Sequence, residues 1–80
     1  MALKLVFLGR LEDAAGAAER LVAPAETITA VLAALEPELA QSLQGERVRW
    51  AVNGALCHRD AVPPLEDGDE IAFLPPVSGG

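Results

Sequence analysis

The residues of this 80-residue chain that best fit a chemical role are the last two, Gly79 and Gly80. A segment without side chains can enter a narrow tunnel and adopt backbone angles that other residues avoid. The carboxylate of Gly80 could then approach a phosphate or a nucleophile without steric hindrance. Pro75 and Pro76 form a rigid, extended connection that holds this segment away from the domain. We therefore expect a flexible tail over residues 77–80 with a reactive carboxylate.

Other residues of chemical interest are better explained by structure. Cys57 and His58 are adjacent, but neighbours on a strand point to opposite faces, and no further ligands lie near them in sequence. The segment Asp-Gly-Asp-Glu at 67–70 lacks the spacing and the terminal glutamate of a calcium loop, so it predicts a turn. Trp50 is expected to pack against a sheet. We therefore predict no metal site and no cofactor bound by this chain, which also lacks a phosphate-binding loop.

Length and composition favour a carrier or a subunit over an independent enzyme. The net charge is −6, and a single cysteine rules out an internal disulfide. Because the basic residues do not cluster, we expect no nucleic-acid partner, whereas a basic protein would be attracted. The longest apolar run, residues 5–8, is far below the roughly 20 residues of a membrane span. With no signal peptide either, we expect a cytoplasmic protein without a membrane partner.

Hydrophobic patterning predicts one main helix and about five short strands. Thr27 offers an N-cap for a helix whose apolar stripe begins at Ile28. Pro37 should end or kink that helix, and residues 38–43 would form a second short piece. The predicted strands cover residues 2–8, 18–23, 48–52, 55–58 and 70–74.

The order of these elements predicts an α+β domain. Residues 9–16 are expected to form a loop, Leu21 to point inward, and Asn53 with Gly54 to form a hairpin turn. One helix can cover one face of a mixed sheet, and the order suits a β-grasp fold. We assign residues 1–76 to this domain and the remaining residues to the tail.

A second feature of interest is the outward face of the first and last strands. Alternation places Val6 and Leu8 of the first strand, and Leu74 of the last, away from the helix-covered side. If these strands are neighbours, the three side chains form an apolar patch beside the start of the tail. A contiguous exposed patch marks an interface. We therefore predict that this patch, together with Pro75 and Pro76, binds a partner.

Three segments carry a resemblance to a known family. Residues 65–80, LEDGDEIAFLPPVSGG, resemble the C-terminal signature of the small subunit of molybdopterin synthase. Residues 51–54 (AVNG) resemble the preceding hairpin of that family, and residues 1–11 its first strand and loop. The wider group comprises the ubiquitin-like sulfur carriers, which include the thiamine-pathway carrier. The resemblance covers the whole chain and implies a β-grasp fold.

The resemblance also implies a two-stage cycle. A ubiquitin-activating-type adenylyltransferase would use ATP and Mg²⁺ to join AMP to the carboxylate of Gly80. A sulfur donor such as a cysteine desulfurase or a rhodanese would then supply sulfur, giving a thiocarboxylate. Gly79 and Ser78 would belong to the tail that enters the large subunit of molybdopterin synthase, within a heterotetramer. There sulfur would pass to precursor Z, a cyclic pyranopterin monophosphate, to form the dithiolene.

The resemblance assigns the roles in this cycle. The catalytic groups are expected on the large subunit, so this chain would be a sulfur-donating subunit without catalysis of its own. The partner-facing positions map to Leu8 and Leu74, which are often aromatic in the family.

Two alternative functions use the same activation chemistry. One is a sulfur carrier for thiamine, thiolated tRNA or an amino acid. The other is a ubiquitin-like modifier whose Gly80 is joined to target lysines. The tail alone does not separate these functions from the first, whereas the approach through residues 73–76 favours molybdopterin synthase. A binding module without transfer chemistry is a weaker fourth possibility.

Overall fold

The computed structural model describes residues 2–75. Pro76 and the predicted tail therefore lie outside the described residues. No helix within residues 2–75 has the length and apolarity needed to cross a membrane. The elements described are β1 (Leu3–Phe7), α1 (Arg10–Ala15), β2 (Glu19–Val22), α2 (Ile28–Ala33), α3 (Pro37–Leu43), β3 (Arg49–Val52), β4 (Ala55–Cys57), a 3-10 turn (Arg59–Ala61) and β5 (Glu70–Leu74).

The strands form one mixed sheet in the order β2-β1-β5-β3-β4. The central pair, β1 and β5, is parallel, with Phe7 opposite Phe73. The other three pairs are antiparallel. The helices pack on one face of this sheet. This is the β-grasp fold that the sequence predicted, with the first and last strands side by side.

The core lies between the sheet and the helices. Along β1 and β5 every second residue is buried, as the alternation predicted. The rings of Phe7 and Phe73 are stacked with centroids 5.8 Å apart, and Trp50 meets Phe73 edge-on at 6.4 Å. The indole Nε1 of Trp50 donates a 3.0 Å hydrogen bond to the carbonyl of Leu43, so its one polar atom is satisfied inside the core.

The main helix is divided at Pro37, as predicted. The Thr27 hydroxyl caps α2 by accepting a 3.1 Å hydrogen bond from the amide of Ala30. Glu36 has an extended backbone, and Pro37 begins α3 at a position where its missing N–H costs no hydrogen bond. Because the chain turns here, α2 and α3 both place apolar side chains on the sheet.

Residues 9–16 were predicted to form a loop, and this prediction is wrong. They contain α1, which buries Leu11 and ends at Gly16. Gly16 has the left-handed φ of +79° and donates its amide to the carbonyl of Glu12. A six-residue helix with one buried side chain shows no helical periodicity in its sequence, because one buried residue does not form a repeating hydrophobic pattern.

The prediction that Leu21 points inward is also wrong, since its side chain is 71% exposed. Val22 lies opposite the buried Leu3, so the preceding residue falls on the other face, opposite Lys4. A shift of one residue reverses every side chain of a strand. The pairing register, which is set by contacts distant in sequence, therefore decides which face Leu21 occupies.

Arg59, in the 3-10 turn, holds the segment that connects α3 to β3. Its guanidinium donates hydrogen bonds to the carbonyls of Gln44, Gly45 and Val48, in the segment between α3 and β3. The same group lies 4.9 Å from the ring centroid of Trp50. The Gly45 carbonyl also accepts a 3.0 Å hydrogen bond from the amide of Val48. The guanidinium adds a donor to each of the three carbonyls that follow α3, which a planar cation with several N–H groups can do at once.

We predict that Arg59→Ala lowers the free energy of unfolding by about 2 kcal/mol, because charged hydrogen bonds and a cation–π contact are lost together. Arg59→Lys should recover only part of this loss, since an ammonium lacks the fork geometry. Urea denaturation measures both effects. Arg47→Ala, at an exposed arginine of the same segment, is the matched control. An equal loss at both arginines would contradict the assigned role.

Candidate functional site

The sheet face opposite the helices carries the predicted partner-binding residues. The register places Val6 of β1 beside Ala72 of β5, and Ala72 beside Ala51 of β3. Ala51 in turn lies opposite Leu56 of β4. An apolar row therefore crosses four strands. We call this row, together with Leu8 and Leu74, the open face.

The open face is shaped for contact. Two alanines form its floor, and larger side chains stand around them. Leu8 is 41% exposed and Leu56 is 64% exposed, whereas Val6 and Leu74 are half-buried. Monomeric proteins seldom leave a large continuous apolar patch in water, which makes the open face the candidate interface of this domain.

Leu56 is a candidate that the sequence interpretation missed. The signal for it is the Asn53–Gly54 turn, which the structure confirms with a φ of +51° at Asn53 and +86° at Gly54. A two-residue turn pairs Val52 with Ala55, so Leu56 must lie opposite Ala51. Since Trp50 points into the core, Ala51 and hence Leu56 point outward. For a strand of three residues, the direction in which each side chain points can therefore be predicted from its pairing partner in the hairpin.

Charged side chains bound the open face near the starts of β1 and β5 and along β2. The Lys4 ammonium lies 3.3 Å from a carboxylate oxygen of Glu19 and 3.7 Å from one of Glu70. All three side chains are well exposed to solvent. A polar rim around an apolar centre is the usual arrangement of a protein interface.

The start of the tail lies at the opposite end. The amide of Leu8 donates a 3.2 Å hydrogen bond to the carbonyl of Phe73, which extends the β1–β5 pairing beyond the strand. Leu74 and Pro75 follow directly. The structure therefore brings Val6, Leu8, Leu74 and Pro75 to the same region. The predicted residues Pro76, Ser78, Gly79 and Gly80 lie outside the described residues.

A hydrogen-bond network holds the beginning of β5. The Asn53 side chain accepts from the amide of Glu70 and donates to a carboxylate oxygen of Asp69, each at 3.0 Å. The other oxygen of Asp69 accepts from the amide of Glu66 at 2.8 Å. These bonds favour the ionised form, so the Glu66 amide first and the Asn53 amide second lower the pKa of Asp69.

The pair Cys57–His58 is not assembled into a site. Cys57 is half-buried at the end of β4, and His58 is exposed. Across residues 2–75, histidine, cysteine and acidic side chains do not gather in a group of three that could hold a metal ion.

The sequence model of the ThiS family matches residues 5–80. The chain belongs to the ThiS family. Its members are ubiquitin-like sulfur carriers, in keeping with the β-grasp sheet. The chain is 35% identical over 82 residues to the molybdopterin synthase sulfur carrier subunit of Escherichia coli, covering 98% of this chain and 99% of that protein.

Solved structures similar to this ThiS-family chain include a complex of two subunits and a modifier protein. One is a complex of subunits 1 and 2 of molybdopterin-converting factor from Helicobacter pylori, with 26% identity, a TM-score of 0.68 and full coverage of both chains. Another is small archaeal modifier protein 1 from Methanosarcina acetivorans, with 26% identity and a TM-score of 0.74 over 99% of this chain and 96% of that one.

We predict that Asp69 makes stability depend on pH in the acid range. A lowered folded-state pKa means that the carboxylate stabilises the fold above its ordinary value of 3.8, and that this contribution disappears as the pH falls through the lowered pKa. Wild type should therefore exceed Asp69→Asn in unfolding free energy near neutral pH, and the difference should shrink at about pH 3.

Urea denaturation at the two pH values measures this difference. Asp67→Asn, at an exposed carboxylate of the same turn, is the matched control. A wild-type advantage over Asp69→Asn that stays constant with pH would show that the ionised network does not form.

Proposed function

We propose that this ThiS-family protein is the sulfur carrier subunit of a molybdopterin synthase. The observation that carries the proposal is the placement of an apolar partner surface directly beside the strand that leads into the Gly79–Gly80 tail. The near full-length similarity to the Escherichia coli sulfur carrier subunit supports it. In this function the folded domain is recognised by partners, and the reacting atom is on the backbone of Gly80.

The proposed activation makes a poor acyl donor reactive. An oxygen of the Gly80 carboxylate attacks the α-phosphorus of ATP bound with Mg²⁺ on the adenylyltransferase, and pyrophosphate leaves. The terminal sulfur of a persulfide on a cysteine desulfurase or a rhodanese then attacks the acyl carbon. The C–O bond breaks and AMP leaves with its electron pair, giving an acyl disulfide. A thiol then cleaves the S–S bond by forming a new disulfide with the donor's sulfur, and the thiocarboxylate is released.

The proposed transfer takes place in the large subunit. The thiocarboxylate sulfur attacks a carbon of the cyclic pyranopterin monophosphate and displaces an oxygen substituent, which leaves with the bonding electrons. Water then cleaves the acyl–sulfur bond, so the sulfur stays on the pterin and Gly80 returns to a carboxylate. This chain needs no side chain of its own for these steps. Its net charge of −6 favours encounter with a basic active-site surface.

The open face is the surface that we propose for the large subunit. The Helicobacter pylori relative was solved as a complex of two subunits of molybdopterin-converting factor. Here the exposed leucines Leu8 and Leu56 offer apolar area that does not contribute to the core. Burial of such side chains contributes roughly 25 cal/mol per Å² to association before the costs of ordering are subtracted.

A protein modifier is the second candidate function. The similarity to small archaeal modifier protein 1 favours it, because that chain shares the fold over almost its whole length. The activation step is the same, and a lysine amine would attack Gly80 in place of sulfur. Carriers for thiamine, thiolated tRNA or an amino acid differ only in the acceptor of the sulfur.

We predict that Leu8→Asp, Leu56→Asp and Leu74→Asp each weaken binding to the large subunit at least about tenfold. A carboxylate buried against an apolar surface costs more than about 1.4 kcal/mol. Titration calorimetry measures the affinity, and thermal unfolding shows that the variants remain folded. Gln41→Glu introduces the same charge on the exposed side of α3 and should bind as wild type does. Unchanged affinity in all three leucine variants would remove the open face as the interface.

We predict that native protein carries sulfur on Gly80. Intact mass spectrometry of protein from cells making molybdenum cofactor should show replacement of one carboxylate oxygen by sulfur. Deletion of Gly79 and Gly80 should abolish this change without altering the circular dichroism spectrum, because the tail lies beyond β5. Persistent absence of sulfur on wild-type protein would count against the carrier function.

Reconstitution separates the pathways. The thiocarboxylate form is mixed with the large subunit and cyclic pyranopterin monophosphate, and dithiolene formation is measured. Formation of the dithiolene supports the molybdopterin assignment. A thiocarboxylate that forms but yields no dithiolene indicates a carrier for another pathway, and isopeptide-linked proteins in the cell indicate a modifier.

A further inference from the structure

We propose that Gly9 is a positioning residue for sulfur transfer, because its contact with Pro75 sets the direction in which the chain leaves the sheet. This inference rests on the proposed function. The observation behind it is a close approach. A Cβ atom on Gly9 would lie 2.8 Å from Cγ of Pro75, nearer than non-bonded carbon atoms can come. The proline ring therefore occupies space that only a glycine at position 9 leaves open.

The backbone of Gly9 independently requires glycine. Its φ of +56° and ψ of −135° lie in the mirror image of the extended region, which L-residues avoid. This conformation turns the chain from the end of β1 into α1. The same turn removes Gly9 from the strand and presents its Cα to the ring of Pro75.

Neighbouring hydrogen bonds hold both partners of this contact. On the strand side, the amide of Leu8 donates to the carbonyl of Phe73. On the helix side, the amides of Leu11 and Glu12 donate to the carbonyls of Leu8 and Gly9, each at 3.1 Å. The side chain of Leu11 is buried in the core. Gly9 is therefore attached to the rigid part of the domain.

The position of Pro75 depends on its contact with Gly9 more than the position of another residue type would. It has no N–H, so it cannot extend the β1–β5 ladder by a hydrogen bond. Packing of the ring on Gly9 replaces that bond. The ring also restricts φ of Pro75 to about −65°, so with the ring packed on Gly9 only ψ of Pro75 remains free to change the direction of the chain.

The direction at Pro75 matters because Gly80, the reacting residue of the proposed function, is only five positions further along the chain. Fully extended, five residues span at most about 18 Å. A domain docked through the open face must bring Gly80 to the reacting carbon within that reach. A displacement of about 1 Å at a reacting centre can reduce a rate by about 10²-fold.

The experiment compares Gly9→Ala with wild type in the reconstituted complex with the large subunit. We expect single-turnover sulfur transfer to fall about 10- to 100-fold, while affinity for the large subunit changes less than about twofold, because the open face is intact. A general loss of structure would instead lower both quantities. Equal rates for Gly9→Ala and wild type would overturn the proposal.

Two further variants separate contact from backbone strain. D-alanine at position 9, introduced by chemical synthesis, prefers the observed backbone angles and replaces the other hydrogen of the glycine, so it should retain most of the rate. In a Pro75→Ala background the ring is absent, so Gly9→Ala should cost less than about threefold. A full loss with D-alanine, or an undiminished cost of Gly9→Ala in that background, would overturn the proposal.

A measurement on the wild-type protein alone keeps this inference distinct from the proposed function. Nuclear Overhauser contacts between the Gly9 Hα protons and the Pro75 ring protons are expected, and their absence would overturn the inference whatever the protein transfers. If those contacts are present but wild type transfers no sulfur from Gly80, the proposed function fails, and the role of Gly9 in it fails for that separate reason.

Discussion

The parallel pairing of β1 with β5 is the constraint on which the other features depend. It brings the two ends of the described chain together, with Phe7 beside Phe73. Because side chains alternate, the same register places the aromatic rings under the helices and Val6 and Ala72 on the open face. A shift of one residue would exchange the two sets. The register that builds the core therefore also assembles the open face, which we propose as the partner surface, and brings Leu74 and Pro75 beside it.

The two faces of the sheet differ in role: the covered face forms the core, and the open face is the proposed partner surface. On the covered face, the Phe7–Phe73–Trp50 cluster supplies aromatic burial, and Arg59 ties the segment after α3 to Trp50. This concentration of buried area matters in an 80-residue chain with one cysteine, because no disulfide assists folding. On the open face, Leu56 contributes little to the core. Partner recognition can therefore change on that face with little cost in stability.

Local signals in the sequence predicted the features that depend on neighbouring residues. Pro37 divided the helix, Asn53 and Gly54 formed the hairpin, and alternation in β5 identified its buried side. The misplaced features depend on distant contacts. Leu21 points outward because of its pairing with β1, which a four-residue strand does not specify on its own. The helix α1 is stabilised because Leu11 packs into the core. A single buried residue leaves no repeating hydrophobic pattern in the sequence from which this helix could be predicted.

The proposed chemistry places the reacting atom on the backbone of Gly80 and requires no reaction at the side chains of the described region. An acyl group that must enter another protein's active site is best carried on a narrow segment, so the reactive carbon belongs to the backbone. The domain then contributes recognition through the open face and a defined starting point at Pro75. Sulfur carriers and protein modifiers share these two requirements. In the proposed function, the nucleophile or acceptor that the docked partner places beside Gly80 decides its fate, and the surface that selects the partner thereby selects the reaction.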